Sequence, residues 1–114
     1  MLRKAPALLR IYPVILDVIH QLRPVLPIIE RKDRDLGRQL RRASASVALN
    51  VAEGMYSRGK NRGARYHTAL GSARETFACL EVAHSFGYIS ALEPALQAHL
   101  RQVIGTLVRL VDHS

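Results

Sequence analysis

The stretch QLRRASASVALNVAEG, from Gln39 to Gly54, decides the fold of this chain. Leu40, Ala43, Val47 and Val51 follow one another at helical steps of three and four residues, which places them on one stripe of an α-helix. Leu36 extends the same stripe toward the N-terminus. The pattern therefore predicts an amphipathic helix over roughly residues 30–55.

Apolar residues with the same periodicity lie on both sides of this helix. A preceding helix is expected over about residues 7–23, with Pro13 opening or kinking it, and the break after it is expected at Pro24 and Pro27. A third helix is expected over about residues 61–86, with Gly87 at the left-handed position that often follows a helix. Ser90 and Glu93 have the spacing of a capping box and predict the start of a fourth helix.

Four amphipathic helices with short connections predict an all-α fold, an antiparallel up-down four-helix bundle, formed by residues 1–114 as a single domain. No apolar run reaches the roughly 18 residues that a transmembrane helix needs. The N-terminal stretch lacks the pattern of a secretory signal, and Cys79 is the single cysteine, so a reducing, cytoplasmic location is expected.

Two ordered motifs resemble the bacterial four-helix-bundle family known as S23 ribosomal proteins, or rRNA intervening-sequence proteins. This family is related to the accessory variability determinant of diversity-generating retroelements. The first motif matches at Gln39, Leu40, Arg42, Ala43, Ser46, Asn50, Ala52, Glu53 and Gly54, with Val47 and Val51 in place of Ile. The second matches at Ala69, Gly71, Ser72, Glu75, Gly87, Tyr88 and Ile89. The chain departs from the family at Ala48, where proline is common.

The resemblance implies a four-helix protomer that often assembles into a pentameric ring and is basic on part of its surface. In the retroelement branch, it also implies binding to nucleic acid and to a reverse transcriptase. A homo-oligomer, with five subunits as the first expectation, and these two partners are therefore the expectations that the resemblance adds.

Basic residues are concentrated in the N-terminal half. Residues 1–65 contain 14 Lys and Arg against 5 Asp and Glu, whereas residues 66–114 contain 3 against 4. Such asymmetry indicates an anionic partner, although a solvated charged face remains an alternative. The expected nucleic-acid-binding residues are Arg31, Lys32, Arg34, Arg38, Arg41, Arg42, Arg58, Lys60, Arg62 and Arg65. Only Tyr56 and Tyr66 interleave with them, which favours phosphate contacts over base stacking.

Polar residues of the two motifs are expected to form a structural polar network between the second and third helices. Its members are Ser46, Asn50, Glu53, Ser72 and Glu75. A buried polar group without a partner costs about 1–3 kcal/mol, so these groups are expected to satisfy one another or the backbone. Gly54 is expected to cap the second helix and Gly71 to permit close helix approach. A pocket with Glu53 and Glu75 as an acid/base pair is the weaker alternative, since no nucleophile accompanies them.

Glu81 with His84, and Asp17 with His20, have the Glu-x-x-His type of spacing found in metal-binding bundles. Such a centre requires two further inward carboxylates, and Glu53 could supply one, but the fourth helix offers only Glu93 and Asp112 near its ends. We therefore expect no metal, no cofactor and no catalytic residue. His67, His99 and His113 are expected at the surface.

The function predicted from the sequence is a non-enzymatic oligomeric adaptor that binds RNA or DNA through a basic, Arg-rich surface. One form of this role is that of an accessory to a nucleic-acid enzyme such as a reverse transcriptase. The alternative is a protein-binding scaffold whose basic surface meets an acidic protein partner, with no nucleic-acid role.

Overall fold

A computed structural model describes the backbone of residues 5–112 and the side chains of residues 10–112. Within this part of the chain the structure is all-helical, with five helices and no strand. The helices are α1 (Ala5–Leu22), α2 (Leu26–Lys32), α3 (Arg34–Tyr56), α4 (Lys60–Ser85) and α5 (Pro94–Asp112). Pro13 lies inside α1. No helix of residues 5–112 is long and apolar enough to cross a lipid bilayer.

The single helix expected over residues 30–55 is in fact two helices, because the chain breaks at Asp33. This residue has an extended backbone conformation, and its carboxylate accepts a hydrogen bond from the backbone N–H of Leu36 at 3.0 Å. Asp33 is therefore the N-cap of α3. The expected break at Pro24 is confirmed by the turn at residues 23–25, whereas Pro27 lies in the first turn of α2.

The prediction for the end of α4 is confirmed, and the prediction for the start of α5 is wrong. Gly87 has a φ of 78°, and the N–H groups of Tyr88 and Gly87 donate to the carbonyls of Ala83 and His84, which closes α4 with a Schellman motif. The capping box at Ser90 does not form, since α5 begins only at Pro94. A residue that precedes proline disfavours helical geometry, which excludes Glu93 from the helix.

The main interhelical contacts join α1 with α3, α3 with α4, α4 with α5, and α5 with α1, while α2 packs on α3. The core consists of two apolar clusters along these helices. The first includes Ile11, Ile15, Val51, Tyr66 and Leu107. The second, nearer to α2, includes Leu22, Ile29, Leu40, Leu80 and Leu100. The predicted stripe of Leu36, Leu40, Ala43, Val47 and Val51 is buried along its length.

Neither motif glycine has the role expected of it: Gly54 permits the close helix approach expected of Gly71, and Gly71 does neither. Gly54 is buried within α3, and a Cβ there would lie 2.6 Å from Cε1 of Tyr66, so Gly54 permits the close approach of α3 and α4. Gly71 is exposed, and no atom lies within 4 Å of the position of its Cβ. The absence of a side chain at residue 54 makes room for the aromatic ring.

Tyr66 is fully buried, and its hydroxyl has no hydrogen-bond partner among the described residues. Burial raises the pKa of this hydroxyl, an effect that the positive charge of Arg62 partly offsets. The Tyr66 hydroxyl therefore stays protonated at neutral pH, and its O–H donates no hydrogen bond within the described residues. An unsatisfied buried hydroxyl destabilises the folded state.

We therefore expect Tyr66→Phe to leave the free energy of unfolding unchanged or to raise it by up to about 1 kcal/mol, since the ring is kept and only the unpaired oxygen is lost. Urea denaturation followed by circular dichroism measures this difference. A loss of stability above about 1 kcal/mol would show instead that the hydroxyl has a hydrogen-bond partner in solution.

Candidate nucleic-acid interface

The break at Asp33 creates an open cleft between α2 and α3. The short helix α2 folds against the first turns of α3, and Gly37 allows this contact, because a Cβ there would lie 2.4 Å from Cγ of Glu30. Side chains of both helices line the cleft. They are Pro27, Glu30, Arg31, Arg34, Arg38 and Arg41.

Most of the positive charge in this cleft is unpaired. Arg41 donates from Nη2 to both carboxylate oxygens of Glu30, at 3.0 and 3.2 Å. Arg31, Arg34 and Arg38 are exposed and have no ion-pair partner in the described part of the chain. Lys32, at the end of α2, and Arg42, one turn after Arg38 on α3, are also exposed. The cleft therefore offers several free guanidinium groups to an anionic ligand.

The other predicted basic residues follow α3 and form a separate group. Arg58 and Lys60 are exposed, whereas Arg62 is partly buried and donates from Nε to the carbonyl of Ser57 at 2.9 Å. Arg65 donates from Nη1 to Oδ1 of Asn50 at 3.3 Å. Arg62 thus stabilises the turn between α3 and α4, and Arg65 stabilises the contact between these two helices.

The structure does not bring the two basic groups together. Arg38 and Arg58 are about 30 Å apart along the axis of α3, whereas Arg65, which donates to Asn50, lies only about 12 Å along the axis from the level of Arg42. We call the first group, formed by Arg31, Lys32, Arg34, Arg38, Arg41 and Arg42, the α2–α3 basic surface. It is the larger group, and within the described residues only its Arg41 forms an ion pair.

The expected polar network exists only in part. The hydroxyls of Ser46 and Ser72 are 2.7 Å apart, and Nδ2 of Asn50 donates to the carbonyl and hydroxyl oxygens of Ser46 at 2.9 and 3.0 Å. Glu75 lies elsewhere and accepts a hydrogen bond from Nε2 of Gln39 at 3.2 Å. Glu53 is exposed, because the residue of α3 that faces α4 at this level is Gly54.

These contacts also show that α3 and α4 run in opposite directions. Residues early in α3 meet residues late in α4, as in Gln39 with Glu75, and residues late in α3 meet residues early in α4, as in Asn50 with Arg65. The side-chain hydrogen bonds therefore fix the register of the two helices at three levels.

Other groups with catalytic or metal-binding potential are dispersed. Glu53 and Glu75 are both exposed on different parts of α3 and α4. Burial, with a smaller contribution from Glu75, raises the pKa of the Cys79 thiol, which keeps it protonated and weakly nucleophilic. Among residues 10–112, no three His, Cys, Asp or Glu side chains form a group that could hold a metal ion.

The histidines show no common site. His20, His67 and His84 are exposed, and His99 is partly buried with its Nδ1 2.8 Å from Nε2 of Gln21. His84 also contacts the carbonyl of Ile89 through Nδ1, at 3.3 Å. His113 lies outside the described residues.

Two aromatic residues that follow α4, one of which reaches Asp33, were not predicted to be part of the site. The rings of Phe86 and Tyr88 stack with centroids 5.3 Å apart, and the Tyr88 hydroxyl donates to Oδ2 of Asp33 at 3.4 Å. Partial desolvation and the Asp33 carboxylate raise the pKa of this hydroxyl, so it remains a donor at neutral pH. The second sequence motif contains Gly87, Tyr88 and Ile89, but it does not indicate that Tyr88 contacts Asp33.

One comparison with known proteins finds a relationship. The family model described as 23S rRNA-intervening sequence protein matches residues 16–109, which include all five helices in whole or in part. No curated protein and no solved structure matches the chain.

Proposed function

The chain belongs to the 23S rRNA-intervening sequence protein family, and from this premise we propose that it is a non-enzymatic, oligomeric adaptor that binds RNA or DNA. The observation that carries the proposal is the α2–α3 basic surface, in which Arg31, Arg34 and Arg38 line one cleft and have no ion-pair partner among residues 10–112. Guanidinium groups bind phosphate through paired N–H donors, and such contacts are largely independent of base sequence.

In this proposal the protomer is one domain in which α1, α3, α4 and α5 form an antiparallel up-down four-helix bundle. The contacts of each long helix with two others support that arrangement. The short helix α2 is then an addition to the bundle, and its role is to supply the second wall of the basic cleft. A cytoplasmic location is part of the proposal, since a lone, unpaired cysteine suits a reducing compartment.

An exposed apolar stripe on α3 supports self-association. Ala45, Leu49, Ala52 and Tyr56 follow one another at steps of four, three and four residues, and Leu49 and Tyr56 are 65% and 86% exposed. Apolar side chains aligned on one helix face are typical of an interface. We propose that a second copy of the chain covers this stripe, within a pentameric ring.

Light scattering is expected to give a mass about five times the 12.7 kDa of one chain. Leu49→Glu should shift the particle to the monomer mass, because a carboxylate cannot be desolvated at an apolar contact without a large cost. Ala98→Glu is the matched control, since Ala98 is exposed on α5, away from the stripe. A wild-type chain that stays monomeric at micromolar concentration would contradict the assembly.

The test of nucleic-acid binding is a salt titration of the wild-type protein with a structured RNA and with duplex DNA. Phosphate contacts predict that the logarithm of affinity falls linearly with the logarithm of salt concentration. Absence of binding at low salt would refute the proposal and favour a scaffold with an acidic protein partner. A reverse transcriptase is the first protein partner to test, because the resemblance to the retroelement accessory proteins suggests it.

A further inference from the structure

A second exposed apolar stripe lies at the C-terminal end of α4. Ala78, Val82 and Phe86 follow one another at steps of four residues, and Phe86, the C-cap of α4, still has helical backbone angles, so the three share one side of the helix. All three are exposed, Val82 by 41% and Phe86 by 67%. One face of the Phe86 ring lies against Tyr88, with centroids 5.3 Å apart. The protomer therefore leaves this side of α4 apolar and open to solvent.

We call Ala78, Val82 and Phe86 the exposed α4 stripe, and Ala45, Leu49, Ala52 and Tyr56 the exposed α3 stripe. The two stripes are surrounded by opposite charge. Residues 38–52 contain three Arg and no Asp or Glu, whereas residues 75–86 contain two Glu and no Lys or Arg. Neither glutamate forms an ion pair within the described residues. The two surfaces are therefore complementary in charge as well as both being apolar.

A cyclic ring of five subunits needs two different surfaces on each protomer. A contact between two identical surfaces closes after two subunits, whereas a larger ring requires a head-to-tail contact between different surfaces. In such a ring the exposed α3 stripe cannot meet itself. The other large apolar residues that are exposed in the described part of the chain, Leu16 and Ile28, are each less than 40% exposed. The exposed α4 stripe is therefore the best counterpart that the protomer offers.

We propose that the exposed α4 stripe of one copy packs on the exposed α3 stripe of the next copy, so that the assembly is built from head-to-tail contacts. The inference deepens the proposed function and rests on the self-association that it includes. It names the second surface of the contact, for which the exposed α3 stripe alone gives no information. Burial of Leu49, Val82 and Phe86 removes apolar area from water, and the surrounding charges orient the two copies.

Val82→Glu is expected to shift the full chain from the wild-type mass to the monomer mass in light scattering, because the contact would bury an unpaired carboxylate. Phe86→Glu lies beyond the last residue of α4 and should have the same effect without altering the helix. Leu16→Glu is the matched control, since Leu16 is an aliphatic residue of α1 with a similar exposure, and it should keep the wild-type mass. Circular dichroism checks that each variant is folded.

A mixing experiment distinguishes a head-to-tail contact from a contact between two α3 stripes. Leu49→Glu disrupts the exposed α3 stripe and keeps the exposed α4 stripe, whereas Val82→Glu does the reverse. Each variant alone should be monomeric. An equimolar mixture should form a dimer of about twice 12.7 kDa that cannot grow, because one intact stripe remains on each partner. Sedimentation velocity over a concentration series measures the two masses and the mixture.

Three results would overturn the head-to-tail contact while self-association stands. They are a wild-type mass for both Val82→Glu and Phe86→Glu, dissociation of Leu16→Glu as well, and a mixture that contains only monomers. A wild-type chain that is itself monomeric refutes instead the self-association in the proposed function.

Discussion

Replacing Gly54 with alanine is expected to lower the free energy of unfolding by about 1–3 kcal/mol. In an ordinary helix interior the same substitution is stabilising, because alanine has the higher helix propensity. At residue 54 the added methyl group would lie 2.6 and 2.9 Å from two ring carbons of Tyr66, which is itself fully buried. Neither α3 nor the ring can move without disturbing the core.

Gly71→Ala is the matched control, since Gly71 lies within α4 but faces open space. There the substitution should raise the free energy of unfolding by about 0.5–1 kcal/mol. A double-mutant cycle with Tyr66→Leu isolates the contact, because the cost of Gly54→Ala should shrink once the ring is gone. Urea denaturation measures all four variants. If both alanine substitutions changed the free energy of unfolding equally, residue 54 would not be in close contact with the Tyr66 ring.

The helices were predictable from the sequence because their apolar residues repeat with one clear period. The stripe from Leu36 to Val51 is buried as expected, and Gly87 has the positive φ that its place after a helix predicts. These features depend on local geometry and on one apolar face, both of which a single segment displays.

The break at Asp33 was missed because no proline or glycine marks it. Asp33 lies in a run of charged residues within the helix predicted over residues 30–55, whereas in the structure it caps α3. The error has a functional consequence, since a continuous helix would have no cleft between α2 and α3. At Ser90 the sequence predicts a helix start that does not exist. The capping pattern of Ser90 and Glu93 is present, but α5 begins only at Pro94, because a residue before proline disfavours helical geometry.

The candidate site was predictable in its charge but not in its arrangement. All the predicted basic side chains reach the surface at least in part, yet they are spread along α3, with Arg38 and Arg58 about 30 Å apart along its axis. Tyr88 carries no charge and follows a glycine in a turn, so nothing in its segment links it to Asp33. Only the packing of α4 against α3 creates that neighbourhood.

Substituting Arg31, Arg34 and Arg38 together with glutamine is expected to abolish most salt-dependent binding of nucleic acid. Each lost phosphate contact lowers the slope of log affinity against log salt by about 0.7–0.9, so the slope should fall by about 2 to 3 per protomer engaged. These side chains are exposed and have no ion-pair partner in the part of the chain that the structure describes, and the pair of Glu30 with Arg41 is left intact, so the fold should survive. In a ring the loss recurs in every subunit that contacts the nucleic acid.

The control removes the same charge from another part of the molecule. Arg74, Arg101 and Arg109 are exposed on α4 and α5, and their replacement by glutamine reduces the net charge equally. Affinity and slope are measured for wild type and both triple variants with structured RNA and duplex DNA at several salt concentrations. Because phosphate contacts position a protein without reading bases, base preference should not change. Equal losses in the two variants would show that overall charge, rather than the α2–α3 basic surface, attracts the nucleic acid.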